Sequence, residues 1–330
     1  MAVNTKTEIL RILRNRIGYI SGQDICESLG ISRTAVWKVI NQLKEEGYEI
    51  EAVSNKGYRI LKYPNIITAE EIMSQMETNV MAREVVFYPE VDSTNTWAKK
   101  IAEKDDSHGK LIVSERQNMG RGRRGREWDS PKGNGIWMSL ILRPKMNPSN
   151  ASMLTLIAAL AVANGINQET DLKAKIKWPN DLVINGKKVC GILTEMSSEL
   201  DYINHIVVGI GINANITKFS GELQNMATSI SIQCGHDINR ASLISKVMKE
   251  FEQYYEIFLK TESLVDIVKE YNENLVHLNQ KVQVLTPNGS VEVLALGIDE
   301  KGRLLVRNHS NETKALMSGE ISIRGINGYV

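Results

Sequence analysis

Residues 120–128, Gly-Arg-Gly-Arg-Arg-Gly-Arg-Glu-Trp, form the segment of this sequence with the clearest capacity for chemistry. Four guanidinium groups lie within six residues, on a backbone that also contains glycines. Such a density of like charge is unfavourable unless anions compensate it. The segment therefore predicts a flexible loop that closes on an anionic ligand, although a solvated basic loop or a nucleic-acid patch stays open on composition alone.

The same segment matches the Gly-x-Gly-x-x-Gly fingerprint of dinucleotide-binding folds, but its context argues against that interpretation. The fingerprint must open an amphipathic helix, whereas Gly125 is followed by a polar run that contains Pro131. A second near-match at 209–214 also lacks a following helix, and neither segment has the Gly-Lys-Ser/Thr ending of a phosphate-binding loop. We therefore exclude both of these nucleotide-binding folds.

Further cations and one carboxylate occur at 177–181, Lys-Trp-Pro-Asn-Asp, and at 187–188, Lys-Lys. Together with Trp128, which could cover a flat ring, these residue types suit an anionic nucleotide with a metal. Taken alone, 178–181 is typical of a turn with a packed indole, and 92–95 is typical of a helix N-cap. Gly209 and Gly211 alone indicate a strand bulge or a close backbone approach.

The first 63 residues predict a helix-turn-helix followed by a wing. Ser21 and Ser32 are suitable N-caps, Gly30 suits a left-handed turn, and apolar residues of the second helix recur at helical spacing. An alternating strand pattern with a turn at 54–57 then predicts a hairpin.

The start of the second helix of this motif normally enters the DNA major groove, and its residues here have hydroxyl and cationic groups. This unit contains ten Lys or Arg against seven Asp or Glu. A module used only for protein contacts is the alternative interpretation. The predicted DNA-binding residues are Ser32, Arg33, Thr34, Trp37, Lys38 and, at the wing, Lys56.

The rest of the chain predicts two further units, so the fold class is α+β multidomain. Strand-like and helical runs alternate from residue 66 to about 278, and short strands separated by turns follow. The predicted domains are a winged helix-turn-helix at 1–63, a central α+β domain with a mixed sheet at 64–278, and a small β barrel at 279–330.

Composition places few further limits on function. The net charge of +1 makes any nucleic-acid affinity a local property, and the three cysteines have no zinc or disulfide spacing. The start of the chain has no apolar signal region, and the longest apolar stretch is shorter than a membrane span requires. We expect a soluble cytoplasmic protein with no membrane partner.

Several motifs together resemble those of biotin protein ligases, specifically the bifunctional kind that also acts as the biotin operon repressor. The resemblance covers essentially the whole chain, and the order of two motifs, GRGRRGR at 120–126 and KWPND at 177–181, is far more specific than a lone glycine pattern. It implies a class II synthetase-like central domain and an SH3-like C-terminal barrel. The other matching segments are 92–95, 186–193, 207–215 and 318–322.

The resemblance also implies which residues hold each ligand. The expected biotin residues are Ser93, Thr94, Asn95, Gln117, Arg121, Gly122, Arg123 and Lys188. The expected ATP and adenylate residues are Arg126, Trp128, Lys177, Asn180, Asp181 and Asn213. Arg121, Arg123 and Lys188 would stabilise charge during catalysis, and Asp181 would hold Mg²⁺ through water.

The implied reaction joins biotin to AMP at the expense of ATP and then transfers biotin to a lysine of a biotin carboxyl carrier protein. The resemblance further implies that an adenylate-bound homodimer binds operator DNA and represses biotin genes. Two alternatives stay open at this stage: a biotin-sensing repressor without catalysis, and a lipoate or other acyl ligase of related fold.

Overall fold

The computed structural model describes residues 4–104, 107–286, 289–318, 321–326 and 328–330. The N-terminal part is a winged helix-turn-helix, as predicted. Ser21 and Ser32 cap their helices by accepting from the amides of Asp24 at 3.0 Å and Ala35 at 3.2 Å, and Gly30 takes a left-handed conformation between them. The elements are α1 (Thr5–Asn15), α2 (Gly22–Leu29), α3 (Arg33–Glu45), β1 (Glu49–Val53) and β2 (Gly57–Lys62).

The central part is built on one mixed seven-stranded sheet with the order β3-β4-β5-β9-β8-β7-β6, in which only the β3–β4 pair is parallel. Its strands are β3 (Val85–Tyr88), β4 (Leu111–Ser114), β5 (Ile136–Leu142), β6 (Lys175–Lys177), β7 (Asp181–Ile184), β8 (Lys187–Ser198) and β9 (Ile203–Ile212). Its helices are α4 (Ala69–Gln75), α5 (Thr94–Ala102), α6 (Met153–Glu169), α7 (Leu223–Met226), α8 (Ile230–Cys234), α9 (Arg240–Thr261) and α10 (Val268–Asn274).

The two faces of this sheet carry different helices. The long helices α6 and α9 cover one face and form the main apolar core with it. Helix α5 covers part of the other face, where it packs on Ile112, Ile141 and Val207. Contrary to the expectation from the sequence, the helical region Pro148–Glu169 is long and apolar enough to cross a membrane, but 72% of its most apolar window is buried inside the fold.

The last part is a five-stranded antiparallel sheet with the order β13-β12-β11-β10-β14. Its strands are β10 (Gln280–Thr286), β11 (Gly289–Ile298), β12 (Leu304–Arg307), β13 (Thr313–Leu316) and β14 (Ser322–Gly325). The predicted small β domain is confirmed, with β14 as a strand that the sequence pattern did not reveal. Its apolar interior is continuous with the main core.

Buried polar groups connect the first two parts of the chain. Glu71 of α4 is fully buried, and it accepts from Arg14 of α1 at 2.7 Å and from the Tyr48 hydroxyl at 2.6 Å. Arg240 of α9, also buried, donates to the carbonyl of Asn65 at 2.8 Å and pairs with Glu115 at 2.9 and 3.1 Å. Arg240 thus joins the linker after the wing to the end of β4.

Candidate active site

Helix α5 and strand β5 build a buried polar pocket at one end of the sheet. Ser93 occupies the N-cap of α5, but its side chain makes no capping bond, so its hydroxyl is available to a ligand. The Thr94 backbone amide and hydroxyl donate to Gln117 Oε1 at 2.8 and 3.0 Å. The Ser139 hydroxyl lies 2.8 Å from Thr94 Oγ1 and 2.6 Å from Asn95 Oδ1. These contacts fix the side chains predicted to hold biotin.

Two glycines of β9 form the floor of this pocket. Side chains of a strand alternate between the two faces of the sheet, so residues two positions apart lie on the same face. Val207, Gly209 and Gly211 share the face that α5 covers, and Val207 packs in the apolar cluster beneath the helix. A Cβ on Gly209 would lie 2.1 Å from Asn95 Oδ1, and one on Gly211 would lie 2.6 Å from Trp128 Nε1. The glycines therefore reflect close side-chain approach to the strand, one of the two interpretations open from the sequence.

The arginine loop, residues 120–128, folds as a narrow hairpin along one wall. The Trp128 amide donates to the Gly120 carbonyl at 2.9 Å, and the Gly122 amide donates to the Arg126 carbonyl at 2.7 Å. Its tip is a short 3₁₀ turn, Arg123–Gly125, in which Arg124 and Gly125 have positive φ. The glycine at 125 thus supplies the backbone conformation that the turn requires.

Arg123 fastens the arginine loop to two other parts of the chain. Its guanidinium donates to Asn180 Oδ1 at 2.8 Å and to the carbonyl of Ser318 in the C-terminal domain. Burial lowers the pKa of this guanidinium. Arg121 differs, because its side chain is exposed while its backbone pairs with Glu127. Arg123 therefore holds the arginine loop against the rest of the protein, whereas Arg121 lies at the solvent-exposed edge of the cavity.

A turn between β6 and β7 builds the end of the cavity predicted to hold the nucleotide. Trp178 anchors this turn, since its buried indole donates to the Gly302 carbonyl at 3.1 Å. The turn presents Lys177, Asn180 and Asp181, and Asp181 forms a 2.6 Å ion pair with Lys188 of β8. The pKa of Lys177 is lowered to about 7, chiefly because burial disfavours the charged ammonium; Asp181 opposes this shift, and nearby cations contribute to it.

These walls enclose one cavity of about 1160 Å³ between the sheet, the arginine loop and the C-terminal domain. Of the residues predicted to bind biotin or the nucleotide, all except Asn213 line it. Asn213 is buried just after β9, and its side-chain amide donates to the Thr228 carbonyl at 3.1 Å. The structure therefore gives Asn213 a bracing contact to the segment beside Lys188, and no contact with the cavity.

Several residues of the site had no signal in the sequence. Ser139 and Glu195 hold Asn95, with Glu195 Oε2 accepting from Asn95 Nδ2 at 2.7 Å. Tyr329 reaches the cavity from the C-terminal domain. Their positions depend on strand pairing between distant segments, which spacing along the chain does not report.

The residues predicted to contact DNA lie together on the outside of the first domain. Val36 and Ile40 turn one side of α3 into the core, which leaves the opposite side in solvent. Arg33 is held by Gln23, whose side-chain Oε1 accepts from the Arg33 guanidinium at 3.0 and 3.1 Å. The exposed residues are Ser32, Arg33, Thr34, Trp37 and Lys38, with Lys56 exposed at the wing.

Comparison with known proteins agrees with this architecture. Residues 5–59 match the HTH domain, residues 87–213 the Biotin/lipoate A/B protein ligase family, and residues 277–324 the Biotin protein ligase C terminal domain. The Bifunctional ligase/repressor BirA of Bacillus subtilis (strain 168) is 41% identical over 307 residues, which cover 92% of this chain and 94% of that protein.

More distant relatives show the same pattern. The Bifunctional ligase/repressor BirA of Escherichia coli (strain K12) is 30% identical over 305 residues, which cover 92% of each protein. The solved structure of the biotin protein ligase from Aquifex aeolicus in complex with biotin and ATP superposes with a TM-score of 0.65 at 31% identity, over 74% of this chain and 99% of that one. The chain belongs to the biotin protein ligase family, and within it to the bifunctional ligase/repressors that begin with a helix-turn-helix domain.

Proposed function

We propose that this protein activates biotin with ATP, transfers it to a lysine of the biotin carboxyl carrier protein of a carboxylase, and represses biotin genes as a DNA-bound dimer. One observation carries the ligase half: a single cavity joins a buried hydroxyl and amide pocket to a set of cations. A neutral ureido ring suits the first end, and a triphosphate suits the second. The cavity therefore has room and chemistry for both substrates of an adenylation.

In the first step, a carboxylate oxygen of biotin attacks the α-phosphorus of ATP, and the bond to the β-phosphate breaks as pyrophosphate leaves. In the second step, a neutral lysine amine of the acceptor attacks the carbonyl of this mixed anhydride. AMP leaves with the anhydride oxygen, and the nitrogen loses a proton as the amide forms. Neither step needs a covalent intermediate on the enzyme.

Lys188 and Lys177 are the cations best placed to serve the first step. Both line the cavity, and both lie on the sheet rather than on the loop. They reduce the repulsion between the carboxylate and the triphosphate and stabilise charge on the phosphoryl oxygens. Arg123 contributes by holding the loop across the cavity, because its guanidinium is already bonded to Asn180 and Ser318.

Asp181 fits a supporting role toward Mg²⁺. The described residues contain no group of three or more His, Cys, Asp or Glu side chains that could hold a metal, and both Asp181 oxygens already contact Lys188 and Tyr329. Mg²⁺ commonly takes one carboxylate with substrate phosphates and water, which suits the expected contact of Asp181 through water. When bound, the ion would neutralise charge on the leaving pyrophosphate.

For the repressor half, we propose that the adenylate-bound protein forms a homodimer that places two copies of α3 in successive major grooves. The exposed hydroxyl and cationic groups at the start of α3 support this role. A single module of this size binds DNA weakly, so a two-fold operator and a dimer would be needed. Since operator DNA, ATP and the carrier protein must all be accessible, we propose that the protein acts in the cytoplasm.

We also propose three domain boundaries for these activities. Residues 1–63 bind DNA and residues 64–278 carry out catalysis. Residues 279–330 form the C-terminal domain. The wing ends at Lys62, and α10 ends at Asn274 before β10 begins at Gln280. The C-terminal domain is not separate from catalysis, because its residues line the cavity.

Biotin-dependent exchange of labelled pyrophosphate into ATP tests the ligase half. We expect exchange well above background with biotin and none without it. If the protein binds biotin but shows no exchange, it is a biotin-sensing repressor without catalytic activity, and the ligase proposal is wrong.

The same exchange assay with biotin, lipoate and octanoate in competition tests the substrate. We expect biotin to be used in preference, because Ser93, Thr94 and Gln117 offer polar partners to a ureido ring at the buried end. A preference for lipoate or octanoate would make the protein an acyl ligase of related fold.

A further inference from the structure

The segment Gly328–Val330 turns back against β14 and enters the site. Gly328 pairs with Gly325 in an antiparallel bridge. A Cβ on Gly325 would lie 2.0 Å from the carbonyl carbon of Val330, so this approach requires a glycine. The turn brings the side chain of Tyr329 into the cavity, at the end that holds the 177–181 turn.

Tyr329 contacts two residues of that turn at once. Its hydroxyl donates to Asp181 Oδ2 at 2.5 Å. Its ring faces Lys177, whose Nζ lies 3.2 Å from the ring centroid. Lys177 ends β6 and Asp181 begins β7, so one aromatic side chain from the C-terminal domain joins both strands of this hairpin.

The contact with the ring matters because Lys177 has few other partners. Lys177 is 5% exposed, and its ammonium forms no ion pair or hydrogen bond within the described part of the chain. A buried cation without a direct ion pair is unfavourable, and the negative face of an aromatic ring is one of the few neutral groups that stabilises it. The ring therefore determines where the ammonium lies.

The contact with the hydroxyl fixes the second group. Lys188 Nζ lies 2.6 Å from Asp181 Oδ1, and Tyr329 donates to the other oxygen. A carboxylate held on both oxygens has one orientation, whereas a carboxylate held on one oxygen can rotate about its terminal bond. Loss of the hydroxyl would leave Asp181 tethered by Lys188 alone.

We infer that Tyr329 is a positioning residue of the adenylation step, whose ring places Lys177 and whose hydroxyl places Asp181. The C-terminal domain thus supplies part of the nucleotide site. This inference depends on the proposed function in one respect, namely that ATP reacts in this cavity. The opposite role is that Tyr329 obstructs the site, in which case nucleotide phosphates must displace it from Lys177.

The test compares full-length wild type with Tyr329→Phe and Tyr329→Leu. Tyr202→Leu is the control, because Tyr202 is 51% exposed and does not line the cavity. Pyrophosphate exchange gives KM for ATP, KM for biotin and the rate of adenylate formation. Transfer of biotin from supplied biotinyl-adenylate to the carrier protein measures the second step without ATP.

Tyr329→Phe keeps the ring and should retain a KM for ATP near that of wild type, with a rate about 10-fold lower or more from the lost contact to a charged group. Tyr329→Leu should in addition raise KM for ATP about 2- to 30-fold, as expected for loss of a cation–π contact. KM for biotin, transfer from supplied adenylate, and the control variant should stay at wild-type values.

Wild-type kinetics in Tyr329→Leu would overturn the inference, and a lower KM for ATP would show that Tyr329 obstructs the site. Equal loss in both exchange and transfer would also overturn it, since that result indicates a general structural role. If Tyr329→Leu does not fold, the Tyr329→Phe variant alone tests the inference: a lower rate of adenylate formation with an unchanged KM for ATP supports it, and an unchanged rate overturns it. Absence of exchange in wild type would instead refute the proposed function.

Discussion

The substitution Gly209→Ala tests the geometry of the buried pocket with the addition of one methyl group. The new Cβ would lie 2.1 Å from Asn95 Oδ1, far inside any real contact, so Asn95 must move. Asn95 is not free to move, because its Nδ2 donates to Glu195 at 2.7 Å and to the Leu193 carbonyl at 3.2 Å, and its Oδ1 lies 2.6 Å from the Ser139 hydroxyl.

The expected cost follows from those contacts. Displacing Asn95 breaks one hydrogen bond to a charged group, at about 1.5–3 kcal/mol, and weakens two neutral ones, at about 1 kcal/mol each. We therefore expect the free energy of unfolding to fall by up to about 3.5–5 kcal/mol in urea denaturation, the value for loss of all three bonds. KM for biotin should rise in pyrophosphate exchange, since Thr94 shares Ser139 with Asn95, while KM for ATP changes little.

Gly22→Ala is the matched control, because its Cβ would meet only Tyr58 at an ordinary 3.5 Å. It should change stability by no more than about 0.5 kcal/mol. In a double-mutant cycle, Asn95→Ala removes the clashing group, so Gly209→Ala should cost much less in that background. Additive costs, or a loss below about 1 kcal/mol for Gly209→Ala, would refute the close approach and the pocket built on it.

Three further predictions concern the loop, the DNA surface and the buried link between domains. Arg123→Gly removes the contacts to Asn180 and Ser318. It should speed release of biotinyl-adenylate about 10-fold or more in a retention assay, as expected for loss of a hydrogen bond from a charged group. Unchanged retention would show that the loop is not a lid. Arg33→Ala should weaken operator binding about 5- to 150-fold and leave pyrophosphate exchange intact, and unchanged operator affinity would contradict the placement of α3 in the groove. Arg240→Met leaves Glu115 without its buried partner and should lower the free energy of unfolding by about 3–5 kcal/mol, and adding Glu115→Gln should restore part of this loss. A loss below about 1 kcal/mol would show that the pair is not important to the fold.

The local features of this fold could be predicted because they depend on short-range rules. Ser21, Ser32 and Gly30 stand where helix caps require such residues, and the structure uses them so. The arginine loop lacks a following helix, as expected from Pro131, and folds as a hairpin. Each of these outcomes is determined within about ten residues along the chain.

The remaining features depend on contacts between distant residues. Asn213 shares a motif with the site but turns away from the cavity, because its amide is taken by Thr228. Ser93 has the sequence of a helix cap, yet its side chain makes no such bond. Arg240 meets Asn65 across 175 residues, and Tyr329 meets Asp181 across 148. Only the packing of whole domains brings these pairs together, so spacing could not indicate them.

The most direct test of the account is a crystal structure of this protein with a non-hydrolysable analogue of biotinyl-adenylate. We expect the ureido ring beside Thr94 and Gln117, the linking group within hydrogen-bond distance of Lys188, and the arginine loop across the ligand with Arg123 hydrogen-bonded to Asn180. A ligand bound elsewhere, or a loop that extends into solvent with Lys188 distant from the linking group, would contradict it.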